Sequence, residues 1–368
     1  MRYPTKNLLW GRRFCYTYPT RISLWGRFVV KYHSPAGVAA WTDLLRSLKD
    51  SAVSELRGTP KMKRVGDKVY WYDHYRVGTE TNDRYIGPDS ADLRERLARQ
   101  QDIAEVEKQA ERERARLMRT LRAEGYLMAD VGTGQAVGAM ARAGVFRLGG
   151  TLIGTQAFRC YEGELGVRIG YDQAAMTDDI DIASFERLSI ALQDQVDSPL
   201  REVFAELKFD PVPALDKGKV WKWRQTDRRT LVEFLTPSFS EDEGLRDLPA
   251  LGVSAQSLHF LNYLIAGPIQ VPLLYRSGVL VQVPRPERYA IHKLIVADRR
   301  RGGPDELKSR KDRMQAEFLV EVLGADRPED LAEAYETAME VGPAWRSRIA
   351  ASLERMAQTK AVLDALPG

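Results

Sequence analysis

The stretch from Phe146 to Ala183 constrains the fold more than any other part of this 368-residue chain. It runs Phe-Arg-Leu-Gly-Gly-Thr-Leu-Ile-Gly-Thr-Gln-Ala-Phe and later Met-Thr-Asp-Asp-Ile-Asp-Ile-Ala. In a strand, residues two apart share a face at a spacing of roughly 6.5 Å. Asp179 and Asp181 therefore project from one face while Ile180 and Ile182 bury the other. Paired carboxylates repel unless a cation lies between them, and hard oxygen ligands suit Mg²⁺, with Mn²⁺ as a substitute. An Asp-x-Asp alone more often marks a turn or a solvated strand end, so its neighbours must decide. Ile153-Gly154-Thr155 closes an apolar run, and Ala157, Phe158, Tyr161 and Leu165 follow at helical spacing. A glycine and a hydroxyl at a strand-to-helix junction place free N–H groups and an OH near a helix N-terminus, where phosphate is held. Leu148-Gly149-Gly150 offers a similar junction just upstream. Taken singly, such glycines more often only permit tight turns and close packing.

A third acid stands in Arg229-Thr-Leu-Val-Glu-Phe-Leu-Thr-Pro237. Leu231, Glu233 and Leu235 fall on one strand face, and Val232, Phe234 and Thr236 on the other. A carboxylate centred in such a run is costly to bury unpaired, so it needs a metal or a cationic partner. Arg229 or a neighbour is the alternative partner.

Around this core the chain divides by composition. Residues 1–40 form a basic, aromatic leader that an apolar signal core never interrupts, so it is no secretory signal. It reads as an extension outside the fold, with Met62 or an earlier non-Met start as the true beginning; a nucleic-acid or membrane-surface strip is the other reading. Residues 1–42 carry seven Lys or Arg and no acid, so the net charge of +4 leaves the rest at +4 − 7 = −3. The basic balance thus argues for no particular partner outside the leader. Residues 41–128 hold a helix from about 39 to 56, a β-hairpin (Val69–Val77 and Arg84–Ile86 across a polar turn at Gly78–Asp83) and a long charge-laced helix over 91–124. Residues 129–300 hold the core, with strand-like runs over 129–183, a strand at Thr230–Thr236 and a hairpin of Ile269–Tyr275 with Val279–Val283. Residues 301–368 are helical, with breaks near Gly302-Gly303-Pro304, Asp326-Arg-Pro328 and Gly342-Pro343. Two cysteines, Cys15 and Cys160, predict a reducing, cytoplasmic setting, four scattered histidines speak against zinc, and no apolar run is long enough for a membrane span.

The order of these motifs resembles the polymerase-beta-type nucleotidyltransferase superfamily: hydrophobic-Gly-Gly/Ser before a helix, an acid-x-acid strand, then a strand with a third acid. Val283-Pro-Arg-Pro-Glu-Arg-Tyr-Ala-Ile-His-Lys-Leu294, Arg299–Arg301 and Lys308-Ser-Arg-Lys-Asp312 look like the helix and basic cluster that follow that core. Together with Tyr70-Trp-Tyr and Arg84-Tyr-Ile-Gly-Pro88, they resemble a little-characterised bacterial group with this fold, over roughly residues 40–325. Three departures stand out: Thr155 where Ser is usual, Glu233 for the commoner Asp, and 23 residues between Thr155 and Asp179, which an insertion over Gly166–Met176 explains.

The resemblance implies an α+β fold: a small mixed sheet flanked by helices, with an N-terminal β-hairpin/helix module and a C-terminal helical region. It implies transfer of a nucleoside monophosphate from an NTP to a hydroxyl or phosphate acceptor (tRNA, another protein or a small molecule), with release of pyrophosphate. Asp179, Asp181 and Glu233 would be the catalytic metal ligands for Mg²⁺, and Gly149, Gly150, Gly154, Thr155 and Lys293 would bind the nucleotide. Lys293 and the Arg299–Lys311 group would steer the triphosphate, unless they are an ordinary solvated helix end. Two other readings compete. One is a nucleic-acid-binding module on this scaffold, carried by the aromatic hairpin Tyr70–Tyr85 and the cations Lys61, Lys63, Arg64 and Lys68; the plain account of that hairpin is a packed sheet face. The other is a regulatory protein that binds a nucleotide without reacting.

Overall fold

Folding of the N-terminal part starts from a cap. Ser34 accepts the N–H of Gly37 at 3.0 Å, Pro35 fixes the first turn, and helix α1 runs Pro35–Lys49 with Gly37, Ala40, Trp41 and Leu44 buried. The computed structural model describes residues 30–51, 59–77, 80–170, 179–191, 194–216, 218–239 and 243–367. Val53 and Leu56 of the expected helix, and residues 1–29 of the expected leader, lie outside them. Residues 30–40 do not stand apart from the fold as the leader reading had it. Val30 and His33 are buried, Tyr32 bridges Val167, and Arg168 N–H donates to the Lys31 carbonyl at 2.7 Å.

The expected hairpin is a three-stranded antiparallel sheet of β1 (Thr59–Val65), β2 (Lys68–Val77) and β3 (Glu80–Pro88). The polar residues Glu80–Asp83, expected in the turn, belong to β3, because the ladder hydrogen bonds of an exposed strand do not require apolar side chains. β1 went unread for the same reason: its sequence Thr-Pro-Lys-Met-Lys-Arg-Val is exposed and carries little apolar alternation. Helix α2 (Ala91–Ala123) opens on Ser90, which accepts the Leu93 N–H at 3.1 Å, and is polar around most of its girth.

The central part continues with α3 (Val131–Arg142), β4 (Thr151–Ile153), α4 (Gly154–Glu164), β5 (Asp179–Ala183), α5 (Glu186–Ala191), α6 (Leu200–Glu206), β6 (Phe209–Pro211), β7 (Lys222–Gln225), β8 (Leu231–Pro237), β9 (Leu245–Leu248), β10 (Val253–Leu258), α7 (Leu261–Leu264), β11 (Ile269–Leu273) and β12 (Val279–Val283). The strand-like run at 131–142 is thus a helix. Asp130 caps it through the Thr133 N–H, and its glycines serve packing: a Cβ on Gly134 would collide with the Tyr275 ring. The seven-stranded mixed sheet has the order β4-β5-β8-β10-β9, with β6 and β7 attached through β8. β5 and β10 run parallel to β8, whereas β4, β9 and β7 join antiparallel. β11 and β12 form the expected hairpin.

One face of this sheet is sealed by Ile180, Ile182, Val232 and Phe234, all fully buried. Phe204 and Trp223 join it, with rings 5.0 Å apart, and Trp223 lies edge-on to Phe234 at 5.4 Å. The C-terminal helices are α8 (Pro286–Arg299), α9 (Glu306–Asp326), α10 (Pro328–Glu340), α11 (Pro343–Leu353) and α12 (Ala357–Asp364). The breaks expected in the sequence separate the first four of them, while the break before α12 carried no glycine or proline. α4, α8 and α9 meet through Phe158, Tyr161, Tyr289 and Phe318. The fold is α+β. Among the described residues, no helix is long and apolar enough to cross a membrane.

Candidate active site

The three acids converge through strand register. β5 lies parallel to β8 with Asp181 opposite Glu233, and β7 lies antiparallel to β8 with Lys222 opposite the same glutamate. Register partners present their side chains to the same face, so Asp181, Glu233 and Lys222 form one row across three strands. Asp179 stands on that face two residues away, and burial alternates along β5 as the sequence pattern requires.

Their electrostatics follow from this crowding. Burial pushes the Asp181 carboxyl up to about 6, and the charges of Glu233 and Asp179 push the same way; Lys293 and Arg300 offset only part of it. Glu233 takes its own cation, Lys222, at 2.5 Å, with both side chains about a quarter exposed (22% and 25%). The sequence suggested Arg229 or a neighbour; the partner is fixed by cross-strand register, which residue order alone does not carry. Lys222 was missed because Trp221-Lys-Trp-Arg-Gln225 was not read as a strand, although its alternation of aromatic and polar residues is the signal that could have found it.

Gly154 stands at the turn from β4 into α4 with φ +65°, a conformation open to glycine. A Cβ there would run into Asp181 Oδ2, so the missing side chain lets the turn and the acid strand meet. The Tyr289 hydroxyl donates to the Gly154 carbonyl at 2.9 Å and tethers the turn to α8. No side chain caps the first N–H groups of α4, and Thr155 in its first turn is buried. Gly149 and Gly150 lie elsewhere than expected: they precede β4 rather than close a strand. A Cβ on Gly149 would meet Leu188, and one on Gly150 would meet Val145.

The basic residues divide into two sets. Arg299 pairs with Glu243 at 3.4 Å, Arg301 with Asp298 at 3.7 Å and Lys308 with Asp305 at 3.2 Å, as on an ordinary helix surface. Lys293 and Arg300 instead grip the buried Asp312, at 2.5 and 2.6 Å. Burial raises the Asp312 carboxyl, but Lys293 and Arg300 outweigh it and hold it below the usual range. Lys311, beside them, is lowered to about 8 by burial and by Lys293, while Asp312, Asp179 and Asp181 pull it back up. His292 is pushed down to about 3 by burial and then by Lys293, so the ring is neutral. The sequence named Lys311 only within a group; its nearness to Asp179 and Asp181 comes from α9 crossing α8. Among the described residues, no group of three or more His, Cys, Asp or Glu side chains is gathered tightly enough to hold a metal ion.

A family model described as nucleotidyltransferase matches residues 132–340, more than half of the chain, and spans β4 to β12 together with α8, α9 and α10. A second, described as a domain of unknown function (DUF6788), matches residues 40–95. No curated protein and no solved structure matches the chain.

Proposed function

The chain belongs to this nucleotidyltransferase family, and on that premise we propose that it moves a nucleoside monophosphate from an NTP to a hydroxyl or phosphate acceptor, releasing pyrophosphate. The observation that carries the proposal is the row Asp181–Glu233 with Asp179 beside it, facing the Gly154 turn. The donor chemistry of this face suits a divalent cation, although its three carboxylates are not gathered into a closed metal site. The donors are hard carboxylate oxygens, and burial together with the charges of Glu233 and Asp179 holds the Asp181 carboxyl up near 6. Asp179 and Asp181 would hold Mg²⁺ or Mn²⁺, with Glu233 as a third oxygen donor that Lys222 now engages. Bound there, the ion supplies charge neutralisation for the triphosphate.

The chain's own residues do the rest. The uncapped N–H groups at the start of α4 and the Thr155 hydroxyl cradle phosphate oxygens, and Gly154 keeps that turn free of a side chain. Lys293, Arg300 and Lys311 balance the triphosphate charge from the helical side. Glu233 accepts the proton of the acceptor hydroxyl, whose oxygen forms the new bond to the α-phosphorus. The bond from the α-phosphorus to the bridging oxygen breaks, and pyrophosphate leaves with that electron pair. Positioning and charge stabilisation account for the acceleration.

The test is turnover of labelled ATP, CTP, GTP and UTP with Mg²⁺ or Mn²⁺, offered total tRNA, protein extract and small hydroxylated acceptors. Asp179→Asn and Asp181→Asn should each abolish pyrophosphate release while leaving the circular dichroism spectrum unchanged. Turnover that survives either change removes the site assignment. Thermal stabilisation by NTP and Mg²⁺ without pyrophosphate release would identify nucleotide binding without transfer.

A further inference from the structure

One face of the three-stranded sheet β1–β3 is covered at β2 and β3 but not at β1, where Met62, the register partner of Trp71, is 61% exposed; the other face is open. On the covered side, a Cβ on Gly87, the register partner of Trp71, would touch Leu93 at 3.4 Å, and the Trp71 Nε1–H donates to Asp89 at 2.9 Å. Asp73 is fully buried and pairs with Arg84 at 3.4 Å, while Leu93 and Leu97 of α2 are buried beneath. The opposite face presents Lys61 and Lys63 from β1, Lys68, Tyr70 and Tyr72 from β2, and Tyr85 from β3. Register aligns Lys61 with Tyr72 and Tyr85, and Lys63 with Tyr70. The plain account of these tyrosines, a packed sheet face, does not describe them. None of the three belongs to the hydrophobic core, and Tyr85 is 53% exposed.

The rings are nonetheless ordered. Tyr72 and Tyr85 stand edge to face with centroids 5.5 Å apart, and Tyr70 lies 6.1 Å from Tyr85. Lys63 reaches over the Tyr72 ring at 4.9 Å and is held by Asp83 at 2.6 Å, so it steadies the ring. Lys61 and Lys68 are exposed and have no acidic partner among the described residues. Preset aromatic rings bordered by unpaired cations match a polyanion whose flat faces are free to stack. A duplex keeps its base faces within its own stack. The aliphatic side chain that register adds to this face is Val65, 63% exposed at its edge, so aromatic and cationic groups make up most of it. The chain's own residues 1–29 carry six Lys or Arg and no acid, the same sign as the face.

We propose that the Tyr70–Tyr72–Tyr85 face of β1–β3 binds a single-stranded polynucleotide, stacking about two or three bases on the tyrosines while Lys61 and Lys68 contact phosphates. This goes beyond the transferase reading and does not depend on it.

The test is fluorescence anisotropy of the full chain with a labelled oligouridylate of about twelve nucleotides, in roughly 50 to 200 mM KCl. Saturable binding that weakens with salt is expected. Tyr72→Ala and Tyr85→Ala should each weaken it roughly tenfold. Lys61→Gln and Lys68→Gln should each reduce the slope of log affinity against log salt by about 0.7. Absence of binding at the lowest salt overturns the proposal. So does binding that survives both tyrosine changes, as it would if residues 1–29 carried it. Should Tyr72→Ala lose the melting transition of the native chain, Tyr85→Trp decides: the larger indole should preserve or strengthen binding, and a tenfold loss rejects stacking.

Discussion

Asp181, in the candidate site, carries a cost in stability. Its carboxyl sits at about 6 in the folded chain against an ordinary 3.8, so the native state binds more protons than the unfolded one between these values. Stability therefore falls as pH rises through that window and stays lower above it. The penalty at neutral pH is about 3 kcal/mol at most. Asp181→Asn, which abolishes the charge, should raise the melting temperature at pH 8 and leave it nearly unchanged at pH 4; equal shifts at both values would show that the crowding is not electrostatic. Gly154 makes a steric demand at the same spot. Gly154→Ala imposes a left-handed conformation costing about 1 to 2 kcal/mol and pushes a methyl group against Asp181. Its turnover should fall at least tenfold together with a lower melting temperature, whereas unchanged kcat would detach the turn from the site. The placement of Asp179 and Asp181 on one strand face and of Gly154 at a strand-to-helix turn was legible in the sequence, since alternation along a strand and a glycine before a helix are local patterns. Lys222 and Lys311 were not singled out, because their positions depend on which strand or helix lies beside them.

At the scale of elements, β5 and β8 carry both the core and the candidate site. Their inward residues Ile180, Ile182, Val232 and Phe234 are fully buried, and that packing holds the register which sets Asp181 beside Glu233. Phe234→Ala should cost about 3 to 5 kcal/mol in urea unfolding, from lost burial and the cavity left beside Phe204 and Trp223. A loss below about 1 kcal/mol would mean that this aromatic layer does not anchor β8. The elements read well where apolar periodicity was strong: α4, β5, β8 and the hairpin β11–β12 lie where the sequence put them, to within a few residues, as does α2, which was read from a sparse apolar stripe and mixed charges. The reading failed at β1, whose residues are exposed, and at α3, whose small residues serve close packing against Tyr275 rather than a turn.

For the whole molecule, the charge balance matters by placement. Residues 1–42 contain the positive excess and the remainder sums to −3, yet the site gathers Asp179, Asp181 and Glu233 on one side and Lys293, Arg300 and Lys311 on the other. A chain arranged in this way should be stabilised by Mg²⁺ in a pH-dependent manner, because ligand carboxyls must be deprotonated to bind. Millimolar Mg²⁺ is expected to raise the melting temperature at pH 8, with little effect at pH 4.5 and none in the Asp179→Asn/Asp181→Asn double variant. A Mg²⁺ shift of equal size in that variant would assign the stabilisation to another part of the surface.

The sequence by itself determined the acid-x-acid strand with its second apolar face, the third acid on a later strand and the glycine at the β4–α4 turn. These are consequences of periodicities that each strand and helix carries alone. Only the tertiary structure decided that Asp181 faces Glu233, that Glu233 is held by Lys222, and that the tyrosines of β2 and β3 lie on an open face. Each depends on strand register and on which helix covers which face. Those are settled by burial of the opposite sides of the sheets, and no local pattern encodes that outcome.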